Sequence, residues 1–155
     1  MIQLDSSITI YRPLATVFDF ISSSANDFEW QYGTLVSKQV STGNAQVGTS
    51  FRSVGHLMGR RMIATFEITE YEANRRYGFK SLSGPLKTHT LYTLEPQEGR
   101  TMIRITTQAS PADGWEVHEG LAEKCMQKEL KDNLTMLKTI LEDRRDSGFR
   151  SGAAS

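Results

Sequence analysis

The run from Trp115 to Glu142 constrains this chain most, because nearly thirty residues without a break carry one apolar face. Val117, Leu121, Ala122, Cys125, Met126, Leu130, Leu134, Leu137, Ile140 and Leu141 recur at three- and four-residue spacing, and Lys124, Lys128, Lys131, Asp132 and Lys138 fall mostly opposite. That is an amphipathic helix with a stripe wider than a coiled-coil seam. At about 1.5 Å per residue it would be on the order of 40 Å long, enough to cross a small domain. A helix of this kind needs a surface to lie on, and everything before it reads as short strands. A curved sheet wrapped around such a helix leaves a space between the two.

Ile2 to Tyr11 alternates loosely and suits a strand, which Pro13 ends. Leu14, Val17, Phe18 and Ile21 follow at helical spacing, so Pro13 to Ser22 reads as a short helix. A second helical turn is expected over Asp27 to Trp30, with Asn26 or Asp27 able to cap it. Six strands come next: Thr34 to Ser41, Thr49 to Val54, Arg61 to Tyr71, Tyr77 to Leu82, Lys87 to Glu95 and Met102 to Ala109. The breaks carry turn chemistry, as in Thr42-Gly43-Asn44, Ala73-Asn74-Arg75 and Ser83-Gly84-Pro85. Connections this short make hairpins and an antiparallel meander. Met62, Ala64, Phe66 and Ile68 share one face of their strand while Arg61, Thr65, Glu67 and Thr69 share the other, so the sheet has one dry and one wet side. Tyr77, Phe79 and Ser81 continue the dry side, as do Ile103 and Ile105, and the phase chosen for the strand between them turns Thr88, Thr90, Tyr92 and Leu94 inward. A slip of one residue would reverse that choice.

At 155 residues the chain is one domain, large enough to bury a core without disulfides or metal. Eighteen Lys plus Arg balance eighteen Asp plus Glu, so no long-range positive field would gather nucleic acid, and a neutral small molecule or a protein is the expected partner. The single Cys125 makes no internal disulfide, and residues 1–5 lack the features of a secretion signal, from which a cytoplasmic location is expected. No apolar run approaches the roughly 20 residues that span a bilayer, so no integral membrane association is expected. The domain is expected over 1–143, with 144–155 as a frayed, flexible tail. Whether the chain forms a homodimer stays open.

Read in order, several short segments resemble the START-like superfamily, also called SRPBCC or polyketide cyclase/dehydrase-like, which includes the birch-pollen-allergen fold. They are Ile10-Tyr11-Arg12-Pro13 leading into Val17-Phe18-Asp19-Phe20-Ile21-Ser22, then Trp30, Val47-Gly48-Thr49-Ser50-Phe51-Arg52, Gly59-Arg60-Arg61, and Ile68-Thr69-Glu70-Tyr71-Glu72. Ser83-Gly84-Pro85, Tyr92-Thr93-Leu94-Glu95-Pro96, Gly99-Arg100-Thr101 and Leu137-Lys138-Thr139-Ile140-Leu141-Glu142 complete the set, which covers nearly the whole chain. The resemblance implies an α+β helix-grip fold: a seven-stranded curved antiparallel sheet around a long C-terminal helix, two short helices after the first strand, and a cavity between sheet and helix. It implies much less about activity, since members bind lipids, sterols, hormones and polyketides, cyclise or dehydrate polyketide chains, or serve as co-chaperones. No catalytic set of the superfamily matches here, so no catalytic residue is carried over.

The residues themselves offer few chemical groups. His56, His89 and His118 are the natural acid-base candidates. His118 precedes Ala122 by one turn and so could reach the inner face of the long helix, whereas His56 is expected in or near a turn and His89 on the wet face. His118-Glu119 lacks the second His of a helical metal pair, no Gly-x-Ser-x-Gly or phosphate-loop pattern occurs, and Cys125 falls on the apolar stripe where a thiol is packing. No cofactor and no metal are expected. Aromatic side chains carry the stronger argument, because Trp30, Phe51, Phe66, Tyr77, Phe79 and Tyr92 converge from several strands, with Met126 from the helix. Buried phenols need partners, and Ser53, Ser81 and Thr90 share their side of the sheet. The expectation is a cavity for a hydrophobic or aromatic ligand with one or two polar groups, its mouth near Trp30 and Tyr32, its walls Phe51, Phe66, Tyr77, Phe79 and Tyr92, and its helix side His118 and Met126. A cyclase or dehydratase on a polyketide-like substrate is the alternative, and a co-chaperone-like interaction module the third reading.

Overall fold

Every junction where the sequence places a turn residue becomes a hairpin bend in the computed structural model, which describes residues 1–31, 33–57, 59–111 and 118–154, the side chains of 28, 57 and 144–154 excepted. The strands are β1 (Ile2–Ile10), β2 (Thr34–Gln39), β3 (Ser50–Leu57), β4 (Arg60–Glu72), β5 (Arg76–Ser83), β6 (Leu86–Gln97) and β7 (Arg100–Pro111). Helix α1 (Leu14–Ile21), a single 3-10 turn (Ser24–Asn26) and α2 (Asp27–Trp30) lie between β1 and β2, and α3 (Glu119–Ala154) closes the chain. The sheet runs in the order β1-β7-β6-β5-β4-β3-β2, antiparallel throughout, so β1 and β2 form its edges. This is the helix-grip architecture expected from the sequence.

Turn chemistry explains the bends. Asn74, between β4 and β5, takes φ 65°, a left-handed conformation that asparagine tolerates better than most residues. Gly84 takes φ 127°, and a Cβ placed there would lie 2.9 Å from that of Ala64, so conformation and space both demand glycine.

The alternation holds in space. Ala64 and Ile68 are buried on β4 while Ile63, the residue that breaks the pattern, is 54% exposed on the outer face. Thr90, Tyr92 and Leu94 are all buried, so the inward phase of β6 is the one the sequence indicates. Each of these strands therefore contributes one apolar side to a common concave surface.

Helix α3 crosses that surface, and its two halves meet different neighbours. Leu134, Leu137 and Leu141 pack with Val17, Phe18 and Ile21 of α1 and with Ile103 and Ile105 of β7 in the main core. A smaller cluster under the start of the helix joins Ala122 to Ile2, Leu4 and Ala109. Polar clamps fix the register: Arg12 donates to the Leu141 carbonyl at 2.7 Å, Lys138 donates to the Thr9 carbonyl at 2.7 Å, and the Tyr11 N–H donates to Glu142 at 2.9 Å. The backbone stays helical to Ala154, beyond the end of the apolar stripe at Leu141.

One feature of α3 differs from the sequence reading, and another falls outside the described residues. The expected start at Trp115 lies outside the described residues; within them the helix begins at Glu119, with His118 as its cap. The stripe is also rotated. Leu121 is 52% exposed and Cys125 is exposed, whereas Glu129 and Asn133 lie among the inward residues. At 3.6 residues per turn, Cys125 sits roughly a hundred degrees round from the line through Met126, Glu129, Asn133 and Leu137, so the thiol belongs to the surface rather than to the packing. No described helix is long and apolar enough to cross a membrane.

Candidate functional site

The main core fills the space under residues 134–141 of α3, and the space beside residues 126–133 is left open. A cavity of about 240 Å³ remains there between the concave side of the sheet and the helix. Phe51 on β3, Phe66 on β4, Phe79 on β5 and Tyr92 on β6 wall it from the sheet, Trp30 from α2, and Met126 and Leu130 from α3. The three phenylalanines form one aromatic group with ring centroids 5.2 to 5.5 Å apart, and Tyr92 joins it 5.7 Å from Phe79. Adjacent strands present the rings to one another, which fixes their rotamers and keeps the wall rigid.

Six of the nine residues expected at the site thus line the cavity. Tyr77 is buried but sits one step away, wedged among Tyr71, Phe79 and Tyr92. Phe18 of α1 reaches Tyr71 at 5.5 Å on that side, so aromatic packing plugs the space that Tyr77 would otherwise face. His118 is not brought to the cavity either. Its Nδ1 accepts the Leu121 N–H at 3.1 Å, and its carbonyl accepts the Ala122 N–H at 2.9 Å, which is how a helix cap satisfies the first turn. Tyr32 lies outside the described residues. His56 takes the opposite course: β3 runs on to Leu57, which puts it on the cavity rim instead of in a turn.

The polar groups of the cavity were the least legible in the sequence. Asp27, at the head of α2, is 8% exposed, and burial pushes its carboxyl well above the ordinary carboxylate range. Ser37 partly opposes that shift, although its own hydroxyl makes no hydrogen bond of ordinary geometry. Burial likewise raises the Tyr92 and Tyr77 phenols, and the nearby Asp27 charge raises both further. Thr34 donates to Gln31 Oε1 at 3.3 Å, and Gln31 in turn hydrogen-bonds the Tyr92 phenol. Thr90 and Thr107 pair at 3.0 Å across β6 and β7. Among the described residues, two lining groups find no protein partner although they are buried: Trp30 Nε1 and Thr88 Oγ1.

At the rim, α3 meets the segment after α2. Glu129 accepts the Gly33 N–H, and the Gly33 carbonyl accepts the His56 N–H at 2.6 Å. A Cβ at Gly33 would stand 2.5 Å from Glu129 Oε1 and 2.7 Å from the His56 carbonyl, so the latch closes only over glycine. Half-burial raises the Glu129 carboxyl, the Gly33 N–H opposes that, and the Asp132 charge adds to it. Nothing in the sequence pattern separates Glu129 and Asn133 from ordinary surface residues, because both sit where a polar interruption of the stripe looks like its border.

Chemically, the arrangement is a rigid aromatic slot with donors and acceptors on its edges. No group of acidic, His or Cys side chains able to hold a metal occurs among the described residues. Cys125, the one thiol, is exposed and away from the cavity lining.

Comparison with known proteins agrees with this geometry. Residues 1–142 match the sequence profile of a family described as polyketide cyclase / dehydrase and lipid transport. No curated protein matches by sequence. Among solved structures, a START superfamily protein from Mycobacterium smegmatis superposes with a TM-score of 0.79 at 10% identity, covering 92% of this chain and 99% of that one. A protein of Thermus thermophilus gives 0.77 at 18% identity, covering 91% and 97%. The Zhui aromatase/cyclase of Streptomyces sp. R1128 gives 0.77 at 13% identity, covering 92% and 94%. At such identities the likeness shows the fold alone.

Proposed function

The chain belongs to the polyketide cyclase / dehydrase and lipid transport family, and from that premise we propose that it binds a small hydrophobic or aromatic ligand in the cavity under the first half of α3. One observation carries this reading. Residues 134–141 of the helix are packed into the filled core, while residues 126–133 border an open volume walled by Trp30, Phe51, Phe66, Phe79, Tyr92 and Met126. Protein interiors otherwise pack to crystal density, and an unfilled apolar space costs stability. A cavity of this composition, with a few polar groups on an aromatic wall, is the usual form of a small-molecule site.

The volume limits the guest. An engineered cavity of about 150 Å³ accommodates benzene, so 240 Å³ corresponds to roughly ten heavy atoms, one or two rings and not a sterol or a long acyl chain. The test is a thermal-shift series with bicyclic aromatics. At a hundredfold excess over Kd a ligand of the native state adds about 2.7 kcal/mol, which raises the Tm of a domain this size by about 5–10 °C. An unmoved Tm with every saturating bicyclic ligand refutes binding.

A cyclase or dehydratase activity is the second reading, and Asp27 is what favours it. A buried carboxyl that holds its proton more tightly than usual, beside Tyr92 and Trp30, resembles the donor sets that stabilise developing enolates. Turnover of a bicyclic ketone that disappears in Asp27→Leu, with binding retained, would establish it.

A further inference from the structure

We propose that the cavity selects an uncharged ligand that bears an oxygen acceptor and excludes carboxylates of the same shape, a refinement that rests on the binding reading above. The indole N–H of Trp30 can only donate, it is 2% exposed, and no atom of the described residues accepts from it. Thr88 Oγ1, on β6, is also buried and unpartnered. Leaving such groups unsatisfied is costly in a dry interior, and a carbonyl, ether or quinone oxygen in the cavity would satisfy them.

Charge decides the rest. Among the described lining residues there is no Lys or Arg, and residues 32, 58 and 112–117 add none. The two ionisable acids, Asp27 and Glu129, both face the same space. A carboxylate entering it would leave water with no cation to meet, and would face like charge wherever Glu129 is ionised. His56 is the one described lining group able to turn cationic, and it is exposed on the rim, where water and salt screen it. The cavity therefore separates neutral from anionic guests of one size, which distinguishes a ketone or phenol from a free acid.

Three probes of equal ring size test this by isothermal titration at neutral pH: naphthalene, 2-acetonaphthone and 2-naphthoate. The expected result is that 2-acetonaphthone binds about fivefold or more tighter than naphthalene, as one neutral hydrogen bond warrants, and that 2-naphthoate binds at least a hundredfold weaker than the ketone, as an unpaired charge warrants. Trp30→Phe should erase the preference for ketone over hydrocarbon, read as the ratio of the two affinities measured on the variant itself. Thr88→Val supplies the same readout should the Trp30 variant fold poorly. Glu129→Gln should recover part of the naphthoate affinity. Naphthoate binding within tenfold of the ketone overturns the inference and leaves the cavity reading standing. Failure of all three probes removes both.

Discussion

Asp27→Asn gives the sharpest test of the cavity's electrostatics, because it changes one charge and almost no volume. The carboxyl is 8% exposed and its affinity for the proton is raised well above normal, chiefly by desolvation. In the unfolded chain an aspartate titrates near 3.9. Between that value and the raised native one, the folded state holds a proton that the unfolded state has released. The contribution of Asp27 is therefore fully present below the unfolded pKa and is lost as pH rises through the interval, at about 1.4 kcal/mol per pH unit. Through each pH unit in which the unfolded aspartate is ionised and the native carboxyl keeps its proton, the wild-type chain loses about 1.4 kcal/mol on this account alone. Asparagine carries no charge at any pH, so the variant lacks this slope, and all other groups cancel in the difference. Urea titrations of both proteins at four pH values from about 4.5 upward supply ΔG directly. The difference, variant minus wild type, should climb with pH at up to about 1.4 kcal/mol per unit. A difference that is flat, or that climbs as pH falls, would show that Asp27 is charged in the folded protein and sink the argument.

Two further outcomes follow from the two ends of α3. Leu137→Ala, at a site with no exposure in the filled core, should cost about 2–5 kcal/mol by urea titration, and Met126→Ala, which only widens an existing cavity, less than half of that. His118→Ala removes the acceptor for the Leu121 N–H and should cost on the order of 0.5–1 kcal/mol, a drop in Tm of about 2–4 °C, with ligand affinity unchanged; a loss of binding without a loss of stability would return that histidine to the site.

The fold was legible because it depends on features written locally. Turn residues at every junction, alternation on β4 and one long stripe leave a single arrangement in which each apolar face is covered. Even the ambiguous β6 resolved correctly, since Thr90, Tyr92 and Leu94 meet Phe79, Tyr77 and Ile103 on the inward side. The aromatic wall was legible for the same reason, because inward phase on a strand settles where a ring points. Its polar complement was not. Asp27 reads as an ordinary helix-start acid, and only the fold of α2 against β2 and β6 buries it. His118 reads as a candidate base because three- and four-residue spacing aligns it with Ala122, but at the end of a helix the unpaired N–H groups claim the side chain first.

The same competition explains where the cavity lies. Along residues 134–141 of α3 the inward positions are Leu134, Leu137 and Leu141, whose branched ends meet the core. Toward the start of the helix the lining positions are Met126, Glu129, Leu130 and Asn133, and a carboxyl such as that of Glu129 cannot be driven into an aromatic wall without losing water it needs. Glu129 is instead held at the rim by the Gly33 N–H, propping the helix off the sheet at the one place where the wall is most aromatic. The opening is thus set by the helix sequence rather than by the sheet. Glu129→Leu should let the side chain turn inward and fill part of the 240 Å³, giving a more stable protein with weakened affinity for the bicyclic ketone. Denaturation and titration on the one variant read both effects, and a variant that gains stability while binding as before would place the guest elsewhere in the molecule.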